Sequence, residues 1–190
     1  MLLRPLATIA CTALLATASY AQTPGNVPDH MSDMPAPSAK TLPSPPATAH
    51  VKLNGKAITV KYNSPAIKGR KVGGEVAPYG KVWRTGANTA TTFNTASNLK
   101  IGDLNVPAGT YTIYTLPSAD QWQLIINKQT GQWGTEYDES KDLGRVPMTS
   151  KTHPSSQERM SISFEDTKGS STEMHVKWAT TDEFVSVAAE

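Results

Sequence analysis

The residues best equipped for chemistry in this sequence are arginines and aromatics. Pro78 to Asn88 reads PYGKVWRTGAN, in which two turn-forming groups, Pro78-Tyr79-Gly80 and Gly86-Ala87-Asn88, bracket Trp83-Arg84. A guanidinium binds carboxylate or phosphate bidentately and stacks on aromatic faces. Arg70-Lys71, Arg84 and Arg145 supply cationic groups, while Tyr79, Trp83, Trp122 and Trp133 supply flat apolar platforms of the kind sugars and aromatic ligands use. The candidate ligand surface is therefore Arg70, Tyr79, Trp83, Arg84 and Asn88. A competing reading places Trp83 and Trp122 in the core and uses the five donors of Arg84 to tie loop carbonyls together.

Carboxylates offer a second chemistry. Gly134 to Asp142 (GTEYDESKD) carries Glu136, Asp138, Glu139 and Asp142, and Glu75 lies just before the Trp-Arg pair. Paired acids serve glycoside hydrolysis, so Glu75, Glu136 and Asp138 are the candidate catalytic residues. The same acids are equally those of a solvated loop, with Lys141 offsetting part of the charge. Their spacing lacks the order of a calcium loop, and the sequence has no Gly-x-Ser-x-Gly elbow and no phosphate-cradling glycine loop.

The four histidines, His30, His50, His153 and His175, show no close metal-ligand spacing and read as surface positions. Asp29 to Met34 (DHMSDM) has soft ligands suited to copper, but one His and two Met in a flexible tail make a thin set. No metal and no cofactor are expected. With 18 Lys and Arg against 16 Asp and Glu and no basic cluster, nucleic-acid binding is not indicated either.

These groups need elements to hold them. Arg4, the uncharged run to Ala18 and Ser19-Tyr20-Ala21 form a signal peptide over residues 1–21, too short to span a membrane. Its removal takes Cys11, the only cysteine, and leaves a chain with no disulfide to rely on. Residues 22–48 contain seven prolines and few large apolar groups, which predicts a disordered linker. From residue 49 the pattern becomes alternation with period two. Val51 and Leu53, then Asn54-Gly55, then Ile58, Val60 and Tyr62 predict a hairpin. NLKIGDLNV predicts another, turning at Gly102-Asp103. Thr110 to Leu116, apolar on both faces, suits a central strand. Gln121 to Asn127 is a further strand, and Met160 to Phe164 and Met174 to Trp178 pair across a turn at Thr167 to Ser170. Phe184 to Val187 predicts a closing strand, and the one helical candidate is short, Ala87 to Thr91. Many short strands with frequent turns predict an all-β single domain over residues 49–190, a β-sandwich or jelly-roll-like barrel.

The stretch YNSPAIKGRKVGGEVAPYGKVWRTGAN, followed by VPAGTYTIYTLP, by Trp-x-Leu-Ile-x-Asn-Lys and by Gln-Trp-Gly, resembles the bacterial domain of unknown function 2911 family. The similarity runs from about Val51 to Trp178 and centres on Trp83, Arg84, Gly86, Ala87 and Asn88. The resemblance implies an exported, mainly β domain and carries no reaction, cofactor or partner.

The expectation is an exported bacterial protein, periplasmic or secreted, that binds an envelope glycan, a small anionic ligand or a protein. Two alternatives stand beside it: an envelope glycan hydrolase or lyase using the loop carboxylates, and a structural envelope protein without a small ligand.

Overall fold

Asn54-Gly55 turns the chain as its residues dictate. Strands β1 (Pro46–Leu53) and β2 (Lys56–Asn63) pair antiparallel with Leu53 opposite Lys56, leaving a two-residue turn. Both turn residues have positive φ, 49° and 77°, the type I′ geometry that matches strand twist. The structure is a computed structural model describing residues 42–190. The expected signal peptide and residues 22–41 of the expected linker lie outside the described residues. Strand β1 starts at Pro46, three residues before the expected domain boundary at 49.

The remaining strands are β3 (Val72–Gly73), β4 (Val76–Pro78), β5 (Thr91–Thr95), β6 (Leu99–Ile101), β7 (Leu104–Val106) and β8 (Gly109–Leu116). They are followed by β9 (Gln123–Asn127), β10 (Asp142–Pro147), β11 (Thr149–Lys168) and β12 (Ser171–Ala189). Six form one antiparallel sheet in the order β1-β2-β5-β8-β9-β10, and four form a second in the order β11-β12-β6-β7. The β6-β7 hairpin leaves the first sheet after β5 and joins the second, which ties the two layers together. Its turn, Gly102-Asp103, has φ of 53° at Gly102, as a turn with glycine first requires. The fold is thus an all-β sandwich.

Alternation builds the core between the layers. Leu53, Ile58, Val60, Phe93, Ile113, Leu124 and Ile126 face it from one sheet. Leu99, Ile101, Met160, Met174, Val176 and Val187 answer from the other. Burying each such side chain contributes about 1.5–3 kcal/mol, so a chain without disulfides can hold together on packing alone. Central strand β8 is buried on both faces. Ile113 points into the core, whereas Thr112 and Tyr114 point outward beneath the segment 128–141. Gln132 seals that side by donating to Thr112 Oγ1 and to the Tyr114 hydroxyl, and Tyr137 packs edge-on against Tyr114.

Three expectations need correcting. Ala87 to Thr91 is not helical: Gly134 and Gln132 draw its backbone into β-like bonds, and β5 already begins at Thr91. Phe184 to Val187 is not a separate strand but the end of β12. His175 is not a surface residue, being 2% exposed. Strand alternation does place it on the face away from the core. Its ring nevertheless stacks on Phe184 with centroids 4.9 Å apart, where nine extended residues would span roughly 30 Å. Strand β12 must bend sharply between them, and Ala179 there has φ of 52°. The bend folds the outer face over His175, which Asp182 and Glu173 contact at 2.7 and 3.2 Å.

Candidate functional site

Between β2 and β5 the chain makes a long excursion, residues 64–90, that holds most of the candidate residues. Three sets of bonds fix it. Ser64 Oγ donates to Met160 O, while Met160 N and Ile67 N donate to Pro65 O and Glu158 O, fastening the first part to β11. Gly80 N donates to Pro117 O, and Trp83 exchanges both backbone hydrogen bonds with Thr115 at the end of β8. Ala87 N donates to Asn63 O, and Asn88 O accepts from Gly134 N. Trp83 to Asn88 is therefore a braced segment rather than a free loop.

The bracing forces unusual backbone. Ala77, Thr85 and Asn88 all have positive φ, at 46°, 49° and 59°. Such conformations cost on the order of 1–3 kcal/mol at non-glycine residues and persist where the surroundings over-determine them. Thr85 is held by its hydroxyl, which donates to Trp83 O at 3.3 Å and shares a hydrogen bond with the Thr115 hydroxyl at 3.2 Å, and its carbonyl accepts from Thr91 Oγ1. Gly86 must be glycine for space: a Cβ there would lie 2.9 Å from Thr91 Oγ1 and 3.2 Å from Asn63 O.

A cavity of about 380 Å³ opens in this excursion, and its wall includes Arg70, Glu75, Trp83, Arg84, Asn88 and Trp178. Four of the five residues expected to bind a ligand thus share one cavity with one expected acid. The exception is Tyr79. Its ring rests on Gly73, where any Cβ would overlap it, and it faces a different cleft together with Trp122. Glu136 and Asp138 are not on the cavity wall either. Asp138 caps the single turn of 3-10 helix at Glu139–Lys141, accepting from Ser140 N and Oγ, which hold its carboxyl below the usual range. Glu136 accepts weakly from Trp133 N at 3.4 Å. Arg145 is committed to the same loop, to Glu139 and Asp142, and Trp133 lies half exposed beyond it.

The two cavity arginines have different jobs. Arg70 donates from Nε to Ile67 O at 3.0 Å and from Nη2 to Ala66 O at 2.8 Å, closing its own turn. Tying loop carbonyls, the structural role proposed for Arg84, therefore belongs to Arg70. Arg84 makes no side-chain hydrogen bond or ion pair among the described residues. Four buried side-chain polar atoms there lack a partner, and Arg84 Nε is the one that carries charge. Its aliphatic stem runs across Gly134, where a Cβ would overlap Arg84 Cδ and lie 2.7 Å from Asn88 O. Gly134 is thus a positioning residue, and its place in Gln132-Trp133-Gly134 was the available sequence signal.

The aromatic part of the wall is Trp83 and Trp178, with a third indole, Trp122, packed against Trp83. Trp83 stacks on Trp178 at 5.6 Å and 12°, and meets Trp122 edge-on at 6.4 Å and 89°. Trp178 was not among the expected site residues because its alternation with Met174 and Val176 reads as pure core. Glu75 is exposed and accepts from Lys71 N at 2.9 Å. It is the only carboxylate on this wall, so the cavity has no pair of acids to divide between acid and base.

Among the described residues no group of three or more His, Cys, Asp or Glu is placed to hold a metal, and no helix is long and apolar enough to cross a membrane. No curated protein and no solved structure matches the chain. A family model does, over residues 44–187, and that span takes in every strand but the last two residues of β12 together with the whole Arg84 cavity. The chain belongs to the family described as protein of unknown function DUF2911.

Proposed function

We propose that this domain is an exported binding module for a small organic anion, with the Arg84 guanidinium as its anchor and the Trp83-Trp178 pair as its flat apolar wall. One observation carries the reading: an arginine side chain without a protein partner among the described residues, its Nε buried, on the wall of a cavity large enough for a small molecule. A guanidinium with no protein acceptor leaves its donors to water, and a carboxylate bound in the cavity would accept from the terminal nitrogens. Arginine is the side chain best matched to a planar carboxylate, and Asn88 on the same wall can donate further. The envelope location follows from the leader read at residues 1–21.

Calorimetric titration with acetate, phosphate and benzoate tests this. Benzoate, a carboxylate with a flat apolar body, should bind more tightly than acetate or phosphate. Arg84→Met should lower its affinity at least about tenfold, the loss expected for a charge-assisted hydrogen bond. Benzoate affinity unchanged by that substitution would remove the assignment. The hydrolase alternative has a single cavity carboxylate to work with, and no observation favours it.

A further inference from the structure

A second cleft, of about 290 Å³, lies where β12 bends, and its wall includes Tyr79, Ser118, Trp122, Ser150, Thr181 and Glu183. Glu183 is unusual there. It is 3% exposed, yet its only hydrogen-bond donor among the described residues is one neutral hydroxyl, Ser150 Oγ, at 2.9 and 2.7 Å from its two oxygens. A carboxylate accepts about four hydrogen bonds, so most of its capacity is unused. Among the described residues no cation pairs with it. Lys151, on the same cleft, sits over the Phe184 ring and 3.8 Å from Glu173 instead.

Tyr79 supplies the second half of the site. It is 50% exposed, while its phenol lies against Gly73, which fixes the ring without a side chain in the way. Fixed, half-exposed aromatic rings beside polar acceptors are a stacking surface for a ring with apolar faces and polar edges.

We propose that this cleft is a second ligand site, for a neutral polyhydroxylated ring such as a saccharide unit, which stacks on Tyr79 and donates its hydroxyls to Glu183. The lining selects among ligands. Its remaining polar groups are mostly serine and threonine hydroxyls, which both donate and accept, as sugar hydroxyls do. The nearby Lys151 ammonium works against a cationic ligand, and the buried carboxylate works against an anion. Burial also pushes the Glu183 carboxyl above the ordinary carboxylate range, with Asp182 adding to the shift and Ser150 opposing it. New donors from ligand hydroxyls would relieve that cost.

The test is heteronuclear NMR titration of the exported chain with cellotriose, maltotriose and chitotriose, with tetramethylammonium as the cationic control. At least one trisaccharide should shift the amide signals of Tyr79, Ser150 and Glu183 together. Glu183→Gln and Tyr79→Ala should each weaken that binding by about tenfold or more, with melting curves confirming that the variants fold. Three outcomes would overturn the inference: no shift with any trisaccharide, binding of tetramethylammonium in their place, or sugar affinity unchanged in both variants.

Discussion

Replacing Arg84 by methionine separates a ligand anchor from a structural tie by the sign of one stability change. If Arg84 held the fold together, its loss would orphan several carbonyls and cost about 2–3 kcal/mol. The geometry gives the opposite sign. Arg84 Nε is buried and unpartnered, so the native state carries a donor left unmade. The residue as a whole is half-buried, with the cavity on one side, so the terminal nitrogens keep water and the cost falls at the low end, about 1 kcal/mol. Methionine keeps a flexible apolar stem over Gly134 and removes the donor. The variant should therefore gain about 1 kcal/mol, which for a domain of this size raises the melting temperature by about 2–4 °C. Arg70→Met is the internal control. It removes the bonds to Ile67 O and Ala66 O from an exposed side chain, and should lose about 1 kcal/mol. Urea unfolding followed by far-ultraviolet circular dichroism measures both. A lower stability in Arg84→Met, or equal losses in the two variants, would refute the argument that Arg84 is not a tie.

Gly134, beside the Arg84 stem, and Tyr137, packed on Tyr114, each carry a further prediction. Gly134→Ala forces a Cβ into the Arg84 stem and within 2.7 Å of the Asn88 carbonyl, which is fixed backbone. It should cost about 1–3 kcal/mol in thermal melts, the usual penalty of overpacking, and weaken benzoate binding by moving Arg84. The Tyr137 hydroxyl, bonded to Asp142 at 2.6 Å, is pushed up to about 12, mainly by burial and then by the Asp142 carboxylate. The folded state thus holds this proton more tightly than the unfolded state. The associated stability is fully present below about pH 10 and is lost as the pH rises from 10 toward 12. Ultraviolet titration should show a phenolate step near the upper value that Tyr137→Phe removes, and an unaltered titration curve in that variant would contradict the assignment.

The hairpins were legible because local chemistry decides them. Asn54-Gly55 and Gly102-Asp103 dictate turn geometry, and strict alternation on either side dictates which face is buried. The double burial of β8 was legible for the same reason, since apolar groups on both faces demand two covers. What covers the outer face was not. Gln132 and Asn127 are polar residues buried through bonds to partners distant in sequence, and the half-buried Tyr137 packs its ring on Tyr114 of β8. The full length of β11 was hidden as well, because Thr149 to Gln157 lacks alternation and the ladder there is interrupted by register shifts. The excursion at 64–90 was visible as the place to look. Which arginine would be free was not, although Arg70 closing a turn three and four residues behind it is a local contact. His175 was misread because alternation describes a straight strand, and β12 is bent.

The register shifts that hid β11 also bear on how copies of this domain meet at high concentration. An open sheet edge is a template for another chain, and three of the four edges of the two sandwich sheets are blunted. Strand β11 is broken by its shifts and carries Pro154, which has no amide hydrogen to offer. Strand β7 is three residues long, and β10 combines a bulge after Asp142 with Pro147. That leaves β1, eight residues with His50 and Lys52 exposed along it, as the one long edge. Strand-by-strand polymerisation of this domain would have to begin there, and the two polar side chains at His50 and Lys52 are what stands in its way.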